Sequence, residues 1–79
     1  MDKTVTVYST QSCVYCNAAK KFFSEKGVSY TEHDVGNDLA RREEMIKKTN
    51  QMGVPVIDMD GQIVIGFDQR KIEEILKLK

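Results

Sequence analysis

The sequence has few cysteines, histidines or prolines, the residues that cross-link a small domain or break its helices and strands. Its 79 residues include two cysteines, one histidine, one proline and no tryptophan. Two cysteines cannot form the disulfide framework of a small secreted protein, and a Cys13–Cys16 disulfide would close too short a loop to stabilise the fold much. They also supply only half of a tetrahedral zinc site, and the single histidine, His33, lies away from them in a predicted strand. We therefore expect no structural disulfide and no metal site.

Neither sign of charge dominates. Twelve basic residues balance twelve acidic ones, which gives no electrostatic reason to expect a nucleic-acid or anionic-membrane partner. No apolar run approaches the roughly 18 residues of a membrane-spanning helix, and no secretory segment with a cleavage site follows Met1. We expect a monomeric cytoplasmic protein that forms a single domain over residues 1–79.

Hydrophobic periodicity and turn residues predict seven secondary-structure elements. Apolar residues alternate in the predicted strands and recur four or seven residues apart in the helices, as Leu39 and Ile46 do on one face of the second helix. Gly27 is a natural stop for the first helix, and Asp38 and Asp68 are candidate N-caps of the next two. The predicted elements are strand Lys3–Ser9, helix Cys13–Lys26, strand Val28–Val35, helix Leu39–Asn50, strand Val54–Met59, strand Gln62–Ile65 and a last helix after Asp68.

The order of these elements, β-α-β-α-β-β-α, indicates the fold class. The first two strands are joined by a helix, which implies a parallel pair with a right-handed crossover. Asp60-Gly61 is a strong signal for a two-residue turn, so the last two strands imply an antiparallel pair. We predict an α/β domain with the minimal thioredoxin-like fold, a mixed four-stranded sheet flanked by three helices.

The segment Cys13-Val14-Tyr15-Cys16 lies where the first strand gives way to the first helix. A C-x-x-C motif beside a βαβ pattern in a cytosolic protein is typical of a thioredoxin-like redox centre. Free N–H groups and the positive end of the dipole at a helix N-terminus stabilise a thiolate, which should lower the pKa of Cys13. Cys16, one turn further along, could then attack the Cys13 sulfur and expel a bound substrate thiol. Two inert buried cysteines are the alternative.

Pro55 is the only proline and stands at the head of the third predicted strand. Proline is tolerated at the first residue of a strand, where its missing N–H breaks no ladder bond. The sequence pattern alone does not distinguish this ordinary role from that of a proline with a cis bond.

Together these features resemble the glutaredoxin family over nearly the whole chain. Besides the strand, the C-x-x-C motif and the helix, the resemblance includes Val54-Pro55 ahead of a β-hairpin and Gly66-Phe67-Asp68 before the last helix. The segments 53–57 and 65–68 look most like the small bacterial glutaredoxin-like proteins of the YruB family. They next most resemble the glutaredoxin-like redoxins that donate electrons to ribonucleotide reductase.

The resemblance implies a dithiol thiol–disulfide oxidoreductase that reduces protein or glutathione mixed disulfides. Cys13 would be the nucleophile and Cys16 the resolving thiol, with Pro55 cis beside them and the Val54 backbone pairing with an extended substrate. Glutathione would be a co-substrate rather than a tightly bound cofactor, and electrons would come from glutathione or a flavoprotein reductase. The other substrate- or glutathione-binding positions are Thr10, Tyr15, Gly66, Phe67 and Asp68, the last three at a helix end suited to a carboxylate.

Four positions depart from the usual glutaredoxin pattern. Val14 replaces a proline, Gly53 a threonine, Thr10 a basic residue, and Ile65 the first glycine of a pair. The changes at Thr10 and Ile65 remove a cation and narrow a groove wall, so we expect weak glutathione binding with thiol–disulfide exchange retained. Candidates to reach a substrate carboxylate at the groove rim are Lys47, Lys48 and Gln51.

Two other functions stay open. The chain could hold a [2Fe–2S] cluster between two subunits, although Cys16 would then compete for Cys13. It could also be a non-catalytic protein-binding module with a vestigial site. Visible absorbance after anaerobic purification would favour the cluster, and full loss of activity on Cys13→Ser would favour the enzyme.

Overall fold

The computed structural model describes residues 5–51 and 53–76. The start of the first predicted strand, Lys3 and Thr4, lies outside these residues. The elements are β1 (Val5–Ser9), α1 (Val14–Glu25), β2 (Thr31–Asp34), α2 (Leu39–Thr49), β3 (Val56–Met59), β4 (Gln62–Ile65) and α3 (Gln69–Leu76).

The strands form one mixed sheet in the order β2-β1-β3-β4. β1 runs parallel to β2, with Thr6 opposite Thr31, and antiparallel to β3, which in turn pairs antiparallel with β4. The β3–β4 turn consists of Asp60 and Gly61, whose φ angles of 55° and 94° match the two-residue turns that follow the twist of a hairpin. This sheet with three helices confirms the predicted fold class.

Helices cover both faces of the sheet, and each face has its own apolar core. On one face, side chains of β1, β3 and β4 pack against α1 and α3, with Phe23 and Ile72 fully buried. On the other face, Tyr8 and Val56 pack against Met45 of α2. We call these the first core and the second core. The first core supports α1, the helix that begins at the two cysteines.

The second strand is shorter than predicted, because Val28 closes the end of α1 and pairing with β1 begins only at Thr31. Gly27, at φ 69°, lets its own N–H reach the Ser24 carbonyl at 3.2 Å and the Val28 N–H reach the Phe23 carbonyl at 2.8 Å. This pair of bonds is a Schellman ending. Val28 and Tyr30 still pack against the first core, which is why their apolar character suggested a strand.

Three other boundaries also differ. Cys13 and Lys26 are the caps of α1 rather than helical residues, and Asn50 caps α2 at φ 58°. Leu39 and Ile46 lie seven residues apart along α2, but Leu39 is 65% exposed, whereas Ile46 packs against the second core. α2 contacts the sheet through its middle and last turns, where Met45 is the buried residue, and Leu39 begins the helix beyond that contact.

Candidate active site

The Cys13 side chain caps the first turn of α1. The Cys13 N–H donates to the Thr10 carbonyl at 3.4 Å, which turns the chain after β1. Cys13 is the N-cap residue, with extended backbone angles, and its Sγ accepts the Cys16 N–H at 3.1 Å. A helix N-terminus leaves such N–H groups without backbone partners. Here one of them points at the Cys13 sulfur.

The two cysteines occupy different environments. Cys13 is half-buried, whereas Cys16 is completely buried, and both are free thiols. Burial raises the pKa of Cys16 to about 12, helped by its hydrogen bond to Cys13 and opposed by the Thr10 backbone N–H and the Lys20 charge. The geometry therefore presents one thiol to solvent and keeps the other protonated behind it.

Val54 lies against the Cys13 thiol, and Pro55 follows it in the chain. The Cys13 thiol donates to the Val54 carbonyl, with 3.8 Å between Sγ and oxygen. The Val54–Pro55 peptide bond is cis, and the Pro55 side chain is buried. The third strand was predicted from Val54, but ladder pairing begins at Val56, since Val54 instead faces the Cys13 sulfur.

A side-chain brace just before Val54 was not recognised in the sequence. The Gln51 amide bridges both backbone polar groups of Gly53, accepting the N–H at 2.7 Å and donating to the carbonyl at 3.1 Å. A Cβ at Gly53 would lie 2.7 Å from the Gln51 Oε1. The usual threonine at this position is therefore incompatible with the brace as built. Gln51 is committed to the backbone rather than free to reach a substrate.

Three apolar side chains on α1 and β4 are exposed to solvent. Val14 is 75% exposed and Tyr15 is 67% exposed in the first turn of α1, and Ile65 at the end of β4 is 54% exposed. Thr10 is half-buried. The Gly66 N–H donates to the Pro55 carbonyl at 2.7 Å, which fixes the end of β4 to the proline.

The start of α3 serves two structural purposes. The Asp68 carboxylate accepts the Lys71 N–H at 3.2 Å and so caps the helix, as predicted. The Phe67 ring lies edge-on to Phe22 at 5.8 Å between centroids and packs against the first core. Binding roles for Gly66, Phe67 and Asp68 stay predictions.

A polar network lies on the α2 face of the sheet. It includes Lys48, another residue that was a candidate to reach a substrate carboxylate. The Tyr8 hydroxyl donates to Glu44 and accepts from Lys48 at 3.0 Å, and Lys48 also donates to Asp58 at 2.7 Å. The bond to Asp58, and to a smaller extent the bond to Tyr8, raise the pKa of Lys48. His33, predicted to be a surface or edge residue, lies half-buried on edge strand β2 with its ring 5.6 Å from that of Tyr8.

The described residues contain neither a set of metal ligands nor a membrane-spanning helix. Within 5–51 and 53–76, no three histidine, cysteine, aspartate or glutamate side chains lie together as a set that could hold a metal ion. In the same part of the chain, none of the helices has the length and apolarity needed to cross a membrane.

Comparisons with known proteins show which family and fold the chain resembles. A family model described as glutaredoxin matches residues 5–64. An uncharacterized glutaredoxin-like 8.6 kDa protein in the rubredoxin operon of Clostridium pasteurianum is 34% identical, over 92% of this chain and 97% of that protein. Glutaredoxin 3 of Escherichia coli (strain K12) is 42% identical, over 81% of this chain and 77% of that protein. The crystal structure of the thioredoxin-like protein BC3987 is 30% identical, covers 92% of this chain and 100% of that one, and has a TM-score of 0.87.

Proposed function

Because the chain belongs to the glutaredoxin family, whose members are thiol–disulfide oxidoreductases, we propose that it reduces disulfides in protein substrates by a two-cysteine cycle. The observation that carries this proposal is the asymmetry of the thiols. Cys13 is reachable and accepts an N–H of the first helical turn, and Cys16 is buried immediately behind it.

The cycle moves two electrons. The Cys13 thiolate attacks one sulfur of the substrate disulfide, so a Cys13–substrate disulfide forms and the other substrate sulfur leaves as a thiolate that takes up a proton. Cys16 loses its proton and attacks the Cys13 sulfur, which releases the second substrate thiol and leaves a Cys13–Cys16 disulfide. A thiol pair or a flavoprotein reductase then returns two electrons to the protein.

The groove around Cys13 suits an extended protein segment. Val54, whose carbonyl lies beside the Cys13 sulfur, is placed to pair with the backbone of such a segment, as when a strand is added to a sheet edge. Val14 and Tyr15 on α1 and Ile65 at the end of β4 supply exposed apolar surface, and burial of apolar surface favours binding. In this proposal the protein acts as a cytoplasmic monomer.

In this proposal glutathione binds more weakly than a protein disulfide does. Thr10 stands where the family usually has a cation, and Ile65 where it usually has a glycine. One N–H at the start of α3 is already taken by the Asp68 carboxylate, which leaves fewer donors for a ligand carboxylate. Protein disulfides are therefore the proposed substrates, and glutathione is at most a co-substrate.

The first experiment measures reduction of a model protein disulfide, insulin, with either glutathione and its reductase or thioredoxin reductase as electron source. We expect turnover by the wild type and none by Cys13→Ser. Activity that survives Cys13→Ser would refute the cycle.

The second experiment tests the glutathione side of the proposal. Calorimetry of glutathione binding, in a Cys16→Ser background, compares Thr10→Lys with the uncharged, similarly long Thr10→Met. A charge-assisted hydrogen bond contributes roughly 1.5–3 kcal/mol, so the lysine variant should bind about 10- to 100-fold more tightly and the methionine variant no more tightly than the parent. Equal binding by all three proteins would show that the missing cation does not matter.

A further inference from the structure

A hydrogen-bonded cluster behind Cys16 takes no part in the cycle described above. The Glu32 carboxylate on β2 accepts from the Lys20 ammonium at 2.7 Å and from the Ser9 hydroxyl at 2.8 Å. Ser9 is fully buried at the end of β1. The cluster joins α1 to two strands at the end of the sheet that carries the dithiol.

The cluster is linked to Cys16 through α1. Lys20 follows Cys16 by four residues, and residues at that spacing share one face of a helix. The Lys20 ammonium, held 2.7 Å from Glu32, therefore lies one helical turn from the buried thiol, and both its charge and the Thr10 backbone lower the pKa of Cys16.

The ionisable groups around this cluster are few. Cys16 interacts with Cys13 and Lys20, and Lys20 interacts with Glu32, Tyr30 and Cys16. Glu32 interacts with Lys20 and Asp34. Among these, the Lys20 ammonium is the positive charge that favours a thiolate at Cys16.

The resolving step changes this balance. Two of the influences that raise the Cys16 pKa come from Cys13, through a hydrogen bond and through charge. In the mixed disulfide the Cys13 sulfur is neutral and carries no proton, so both influences are lost. Burial then opposes ionisation of Cys16, while the Thr10 N–H and the Lys20 charge favour it.

We propose that Lys20 and Glu32 are a positioning pair that sets how fast Cys16 releases the substrate. Lys20 favours the attacking thiolate. Glu32, bonded to the Lys20 ammonium at 2.7 Å, partly neutralises its charge. This inference rests on the proposed two-cysteine cycle and concerns its second step.

The two halves of the pair have opposite effects. Lys20→Met removes the favourable charge and should raise the Cys16 pKa, whereas Glu32→Gln leaves Lys20 unneutralised and should lower it. A change of about one in pKa alters the thiolate population tenfold. The accompanying change in nucleophilicity offsets part of this, so the resolution rate at pH 7 should change about three- to fourfold. It should fall for Lys20→Met and rise for Glu32→Gln.

The measurement follows a reagent thiol. Reduced protein is mixed with an excess of an aromatic disulfide that gives a coloured thiol, and release of the second equivalent, by attack of Cys16 on the Cys13 adduct, is recorded by stopped flow from pH 5 to 9. Lys21→Met is the matched control, since it removes the same charge at the neighbouring, exposed position. Lys20→Arg should restore the wild-type rate. Urea unfolding of every variant identifies any that do not fold.

The outcomes separate this inference from the proposed function. A second equivalent released equally fast by Cys16→Ser would refute the two-cysteine cycle itself. A normal second release in the wild type, with Lys20→Met and Glu32→Gln shifting the pH profile in the same direction or not at all, would refute the positioning role alone. Opposite shifts, with Lys21→Met unchanged, would establish it.

Discussion

The large difference between the two thiols leads to a quantitative prediction for alkylation. When the reduced protein is treated with iodoacetamide at pH 7, Cys13 should be modified first and Cys16 should lag far behind. The reagent reacts with thiolates, and Cys16 is both buried and held largely protonated by a pKa of about 12.

The expected lag follows from the Cys16 pKa. At pH 7 an unperturbed cysteine, with a pKa of about 8.5, is about 3% thiolate, whereas a thiol with a pKa of about 12 is about 0.001% thiolate, roughly 3000-fold less. A thiolate of higher pKa is intrinsically more nucleophilic, which returns a factor of about 25 to 60. While Cys13 is still unmodified, Cys16 should therefore react about 50- to 100-fold more slowly than a cysteine in a short peptide, before steric protection slows it further.

The assay is mass spectrometry of the modified cysteine peptides over time, with a short cysteine peptide in the same tube. As pH rises from 7 to 10, the Cys16 rate should keep increasing about tenfold per pH unit, because its thiol titrates only near 12, while the reference peptide levels off above about pH 9. In denaturant the lag should disappear. Modification of Cys16 before Cys13, or at the rate of the reference peptide, would refute the reasoning.

Three further predictions concern the site and the polar network. Cys16→Ser should accumulate a covalent mixed disulfide with a protein substrate, visible on a non-reducing gel, and the idea fails if that variant turns over at the wild-type rate. Tyr8→Phe keeps the buried ring but loses two hydrogen bonds to charged partners that are themselves partly exposed, so urea unfolding should show a loss of about 1–2 kcal/mol, and an unchanged midpoint would contradict it. Gly53→Ala should displace the Gln51 brace and weaken substrate capture. Gln51→Ala should do the same, and the double variant should be no worse than either single one, whereas additive losses would count against a shared brace.

Local sequence patterns predicted most of the fold because they report local physics. The turn at Asp60-Gly61 demands positive φ at both residues, and its residue types suggested that turn. Capping by Asp38 and Asp68 also depends on neighbours three residues away. The length of β2 was wrong because apolar residues after Gly27 fill a core as readily as they form a strand.

The features that the sequence did not predict depend on partners that are distant along the chain. Tyr8 reads as an ordinary strand residue, and nothing local shows that its hydroxyl meets side chains 36 and 40 residues away. The exposure of Leu39 depends in the same way on where α2 crosses the sheet. The C-x-x-C spacing identified both thiols, but not that one is half-exposed and the other fully buried.

The placement of the two sulfurs also bears on survival under oxidative stress. A peroxide entering from solvent meets Cys13, since Cys16 is buried, and its first product there is a sulfenic acid. The Cys16 thiol, one helical turn behind Cys13, can condense with that sulfenic acid to give a disulfide and one water molecule, before a second peroxide forms the irreversible sulfinic acid. This disulfide is the species in which each turnover of the proposed cycle ends, so the electron donor that completes that cycle would also reverse the damage.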